Sequence, residues 1–149
     1  MKKINRKTIF LILLGVFILM QFFRIDKTNP PVDAKLDFIN INQPPENISK
    51  MIKSACYDCH SYETKYPWYS NIAPVSWWLK GHIDEARGEL NFSEWGSYSA
   101  KKASHKMEEA MEEVEEKEMP LTPYVIAHSE AKLSEEQRAA LVGFFKKIK

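Results

Sequence analysis

Apolar and polar residues alternate along this chain in four recognisable modes. The first is an unbroken apolar run from Ile9 to Met20, prolonged by Phe22, Phe23 and Ile25. The second is a helical stripe: Ile48, Met51, Ile52 and Ala55 recur at three- and four-residue spacing and predict a helix over 46–55. The third repeats that pattern three times more. Val75, Leu79, Ile83, Ala86 and Leu90 line one face of a second helix. Ala100, Ala103, Met107, Ala110, Met111 and Val114 line a third, whose opposite face carries Glu108, Glu109, Glu112, Glu113, Glu115 and Glu116. Leu141, Phe144, Phe145 and Ile148 line the last, which Ser134 and Gln137 open as a capping box. The fourth mode is irregular and aromatic, from Ser61 to Ala73. No alternating strand pattern interrupts the helices, so the expected fold class is all-α.

The breakers Asn29-Pro30-Pro31 and Gln43-Pro44-Pro45 mark residues 26–44 as a Pro-containing tether, with Leu36, Phe38, Ile39 and Ile41 available to pack onto the domain. The expected organisation is a basic stub at 1–7, a spanning segment at 8–25, that tether, and a domain at 45–149.

Charge sharpens the reading of the first segment. The formal net charge is +1, too small for a nucleic-acid footprint. Its distribution is uneven: Lys2, Lys3, Arg6, Lys7, Arg24 and Lys27 face only Asp26 within residues 1–27, leaving the rest of the chain mildly acidic. Counted from Thr8 to Ile25, with Gln21 and Arg24 at the interface, the apolar run reaches spanning length. The expectation is a single N-terminal transmembrane helix acting as an uncleaved signal-anchor in the inner membrane. The flanking cations would keep the terminus cytoplasmic and place the domain in the periplasm.

The candidate chemistry lies at Cys56-Tyr57-Asp58-Cys59-His60, which contains both cysteines of the chain. Two thiols separated by two residues and followed at once by histidine form the attachment pattern of a c-type haem. The thiols add across the two porphyrin vinyl groups, and His60 supplies the proximal imidazole. Three other readings compete. A structural zinc site needs four ligands, which histidines would have to complete. A thioredoxin-like redox pair belongs in a βαβ context. A disulfide is the third. A ligating histidine usually donates its second ring N–H to a carbonyl or carboxylate, and a backbone carbonyl near Pro74 or Pro67 is the candidate here. Met119 stands immediately before Pro120, about sixty residues beyond His60, and is the candidate sixth ligand. His82 competes with it, although a histidine on an apolar helix face is more often a core residue. His105 is expected in solvent and His128 in a structural role. The acidic face after Ala100 reads first as solvation and second as a docking patch for a basic redox partner.

These pieces together resemble a class I cytochrome c. More narrowly, residues 45–149 resemble the bacterial haem-binding domain family. The resemblance rests on Cys56-Tyr57-Asp58-Cys59-His60-Ser61, Pro67-Trp68-Tyr69-Ser70, Pro74-Val75-Ser76-Trp77, Leu90-Asn91-Phe92-Ser93-Glu94-Trp95, and Met119-Pro120 followed by Tyr124 and His128. It implies a cytochrome c-like helical domain around one covalent haem c, with Met51 and Ile52 of the first domain helix crossing Phe144 and Phe145 of the last. The implied function is a membrane-anchored monohaem cytochrome carrying single electrons between redox partner proteins, with iron between His60 and Met119. With both axial positions filled, an electron carrier is expected rather than an enzyme. The alternative is a haem sensor or haem enzyme whose distal site is open or holds His82.

Overall fold

The structure, a computed structural model, describes residues 5–148. Part of the expected stub, including Lys2 and Lys3, lies outside those residues. Among the described residues every regular element is helical, in agreement with the all-α expectation. The chain divides into two compact units. One comprises the described residues through Thr28 together with Tyr66–His82, and the other Asn29–Lys65 together with the chain from Ile83 onward.

The first unit contains helix α1, Arg6–Met20, opened by Asn5, whose side chain accepts from the Lys7 N–H. It also holds a 3-10 turn at Trp68–Asn71 and the first half of a helix, Val75–Glu89. α1 corrects the expected membrane span. Its 15 residues reach about 22 Å at 1.5 Å each, against about 30 Å of hydrocarbon. The helix stops because the residues meant to prolong it are held elsewhere. The Gln21 side chain donates to Phe17 O at 2.8 Å and Ala73 O at 3.0 Å, and accepts from the Ala73 N–H at 3.0 Å. The Trp77 indole N–H then takes the Phe23 carbonyl at 2.7 Å. Among the described residues no helix is long and apolar enough to cross a membrane. The transmembrane helix, the inner-membrane anchoring and the single-pass periplasmic placement read from residues 8–25 are therefore overturned.

The second unit is built around Phe38, which is 0% exposed. Phe38 belongs to α2, Phe38–Asn42, inside the segment read as a tether. Asp37 caps α2 by accepting from the Ile39 and Asn40 N–H groups, both at 3.1 Å. Gln43 ends it in the left-handed region at φ 44°, just before Pro44 and Pro45. Around the Phe38 ring stand Phe92 and Trp95 at 4.9 and 5.0 Å between centroids, and Phe145 and Phe144 at 6.2 and 6.5 Å, all edge-on. Quadrupolar rings favour this arrangement. Gly96 closes the wall: its N–H donates to Leu36 O, and a Cβ there would lie 2.8 Å from Ile41 Cδ1 and 3.0 Å from Leu36 Cα.

Further elements follow along the chain. α3, Glu46–Ala55, buries Ile48, Met51, Ile52 and Ala55, the stripe read from spacing. The single turn α4 spans Tyr57–His60, and α5 is the helix Val75–Glu89. α6, Ala100–Glu115, buries Met107 and Val114. α7 is Thr122–Ala127, and α8 is Glu135–Ile148. α8 packs against both α6 and α3, so Met51, Ile52, Phe144 and Phe145 share one core. The capping box forms as expected: Ser134 N–H donates to Gln137 Oε1 at 2.8 Å, and Gln137 N–H to Ser134 Oγ at 3.2 Å.

Candidate haem site

α3 delivers Cys56 to the point where its helical geometry breaks, at φ −123°, ψ −40°. The chain then makes one further turn. The N–H groups of Cys59 and His60 both donate to the Cys56 carbonyl, at 3.2 and 2.8 Å. This compact turn sets two free, half-buried thiols beside one imidazole. Burial, and then the neighbouring Cys59, push the Cys56 thiol up to about 12. Burial, and then the Asp58 charge, push the Cys59 thiol up to about 11, against an opposing pull from Arg87.

Both thiols are therefore protonated near neutral pH. That is unlike a nucleophilic Cys-x-x-Cys pair, whose attacking thiol is activated by a lowered pKa. Among the described residues no group of three or more His, Cys, Asp or Glu side chains could hold a metal ion, so the zinc reading finds no ligand set.

His60 is oriented by the end of α5. Its Nδ1 lies 3.0 Å from Leu90 O and 3.1 Å from Ala86 O. With two oxygens in reach, Nδ1 carries the proton and donates, which leaves the Nε2 lone pair free for a metal. Ala86 O also accepts the Leu90 N–H at 2.9 Å, so it serves two donors, while Leu90 stands one residue past the end of α5. Burial lowers the imidazole pKa and keeps the ring neutral. The anticipated carbonyl near Pro74 or Pro67 is thus replaced by one helix end, 26 to 30 residues along the chain.

The two residues between the cysteines anchor the turn, each through a tyrosine–aspartate bond. The Tyr57 hydroxyl donates to Asp37 Oδ2 at 2.8 Å, and its ring stacks on Phe92 at 5.4 Å. Burial, and then the Asp37 bond, raise its pKa. The Asp58 carboxylate accepts from the Lys65 N–H at 2.9 Å and from the Tyr124 hydroxyl of α7 at 2.7 Å. The Tyr124 ring stacks on His128 at 4.4 Å. Ser61, fully buried, donates to Tyr57 O at 2.7 Å.

Met119 lies between α6 and α7, half-buried against the hydrophobic core that Cys56 also borders. Its N–H donates to Glu113 O at 3.0 Å, and its carbonyl accepts from Arg138 Nη1 of α8 at 2.7 Å. Arg138 Nη1 also donates to Val114 O, so it ties the last turn of α6 to the loop that follows. His82 is turned back on its own helix, with Nδ1 3.0 Å from Trp78 O and its ring 4.2 Å from the Trp78 ring.

Two supporting residues, Asp37 and Arg138, carried no motif signal. The bond from Tyr57 to Asp37 spans 20 residues, beyond the reach of any local pattern.

The donor set fits an iron porphyrin. Two free thiols stand beside a neutral imidazole whose Nδ1–H is already engaged, in a turn held by buried bonds. An all-helical protein with this site falls in the class of haem proteins. The family comparison agrees: the haem-binding domain family matches residues 15–147, and the chain belongs to that family. It is a haem-binding protein. No curated protein and no solved structure matches it.

Proposed function

We propose that this chain is a monohaem c-type cytochrome that carries single electrons. Cys56 and Cys59 form the two thioethers, His60 is the proximal ligand, and Met119 is the distal ligand. Haem held by these residues would supply one-electron chemistry between a donor protein and an acceptor protein.

The observation that carries the reading is the engaged Nδ1–H of His60. Its bonds to Ala86 and Leu90 fix the ring, select the tautomer with Nε2 free, and raise the basicity of that nitrogen. Burial of both thiols keeps them protonated, so they stay out of thiolate chemistry before the haem arrives. Ser61 and Tyr57 hold the turn against the core. Arg138 holds the Met119 backbone while leaving its thioether free of hydrogen bonds. A sulfur ligand favours Fe(II) and raises the potential above that of a bis-histidine site.

Protein produced with a haem-attachment system should gain the mass of one haem and show the pyridine haemochrome of two saturated vinyl groups. Colourless protein of unaltered mass sinks covalent attachment. The ferric form should show the weak far-red sulfur-to-iron band, and Met119→Ala should abolish it. A band that survives that substitution removes Met119 from the ligand set.

A further inference from the structure

The turn of α5 that holds His60 also holds a cation. Arg87 follows Ala86 directly and is half-buried. Its Nε donates to Ser61 O at 2.8 Å, and its Nη2 to Asn29 Oδ1 and Thr64 Oγ1, both at 2.9 Å. The guanidinium carbon lies 5.3 Å from the centre of the Tyr62 ring. All three hydrogen-bond acceptors are neutral, so the bonds immobilise the charge without cancelling it.

Asp58 is the complementary case. Its carboxylate is held by a backbone N–H and a tyrosine hydroxyl, again neutral partners. Thr64 joins the two groups: its hydroxyl donates to the Asp58 carbonyl at 2.6 Å while its oxygen accepts from Arg87. Asp58 stands between the two cysteines, and Arg87 follows the residue whose carbonyl takes His60 Nδ1.

We propose that Arg87 and Asp58 act as opposed fixed charges that set the reduction potential of the haem, Arg87 favouring Fe(II) and Asp58 favouring Fe(III). This rests on the haem reading above. Reduction of a bound haem would add one negative charge at this site. A fixed positive charge nearby therefore stabilises the reduced form, and a fixed negative charge the oxidised form. Because Arg87 is half-buried and locked by three bonds, salt screens it less than a surface lysine.

The test is a spectroelectrochemical titration of the full chain carrying haem, as wild type and as Arg87→Gln, Arg87→Lys, Asp58→Asn and Tyr124→Phe. For Arg87→Gln the Fe(II):Fe(III) ratio at fixed potential should fall about tenfold, a midpoint lower by about 59 mV for one electron. Asp58→Asn should raise the midpoint. Arg87→Lys keeps the charge and should stay closer to wild type than Arg87→Gln. Tyr124→Phe removes a hydrogen bond but no charge, and should move the midpoint less than Asp58→Asn.

Opposite signs are the signature, because a loosened site that admits water would shift both variants the same way. Shifts of the same sign, or no shift in either charge variant with one haem attached by mass, overturn the proposal. If Arg87→Gln fails to take up haem, the Asp58→Asn titration decides, and a midpoint that does not rise overturns it. A wild-type chain without haem by mass refutes the underlying cytochrome reading, and the charge pair falls with it.

Discussion

α1 and α2 make an instructive pair. α1 is the most apolar stretch of the chain and buries no residue. Ile9, Phe10, Leu11, Ile12, Leu13, Leu14, Val16, Phe17, Ile18 and Leu19 all remain exposed. α2 is five residues long, flanked by prolines and capped by an aspartate, yet it supplies Phe38, the centre of the second unit. Hydrophobicity sets how much a side chain gains from leaving water, but it does not say what will cover it. Phe38 is covered because Phe92, Trp95, Phe144 and Phe145 converge on it from elements more than 50 residues away.

The largest expected effect lies at that convergence. Phe38→Ala should cost about 3–5 kcal/mol in a urea titration, as buried aromatics do when truncated to leave a cavity. A loss below about 1 kcal/mol would break the contrast, since it would make Phe38 an ordinary surface position.

Next comes the bond that joins α2 to the haem motif. Tyr57→Phe leaves the buried Asp37 carboxylate short of a donor, and should destabilise by about 1–3 kcal/mol. The same variant should slow haem attachment in pulse labelling, because the cysteine turn loses an anchor. Unchanged stability and attachment would show that α2 and the motif are independent.

Gln21→Ala tests why α1 ends. It deletes bonds to both the N–H and the C=O of Ala73, and about 1 kcal/mol of lost stability is expected. Hydrogen exchange at the Ala73 amide should accelerate. An amide as protected as in wild type would remove Gln21 as the stop.

The smallest effect is predicted on α1 itself. Leu11→Gln and Leu13→Gln, at side chains 64% and 62% exposed, should each change stability by no more than about 0.5 kcal/mol. Losses comparable to Phe38→Ala would mean that α1 is covered after all.

The two units also differ in how far they could be read in advance. The stripes of α3, α6 and α8 were legible because each helix buries one face and a 3.6-residue period records it, whereas Val75, read onto the buried face of α5, is exposed. The Ser134–Gln137 box was legible because its reciprocal bonds are local. α1 was misread in extent: composition allowed the run to continue to Ile25, and nothing nearby announced that Gln21 would bind Ala73. At the site, Cys56, Cys59 and His60 were legible as a haem-attachment pattern because that pattern is a spacing within a few residues. The partners of His60 were not visible, since a backbone carbonyl has no residue identity to search for. Arg87 carried no signal in the sequence, because its acceptors at Ser61, Thr64 and Asn29 lie 23 or more positions away.

What the linear order of residues settled is the helical class, the Ser134–Gln137 cap, the acidic face of α6 and the Cys-x-x-Cys-His pattern at 56–60, all of which depend on neighbours within about four positions. What required the folded chain is the end of α1, the burial of Phe38, the tautomer of His60 and the placing of Arg87 beside Ser61. Each of these depends on a contact between residues 20 or more positions apart. Periodicity and motif spacing carry no information about such contacts, because side-chain packing and backbone hydrogen bonding choose them only when the elements meet.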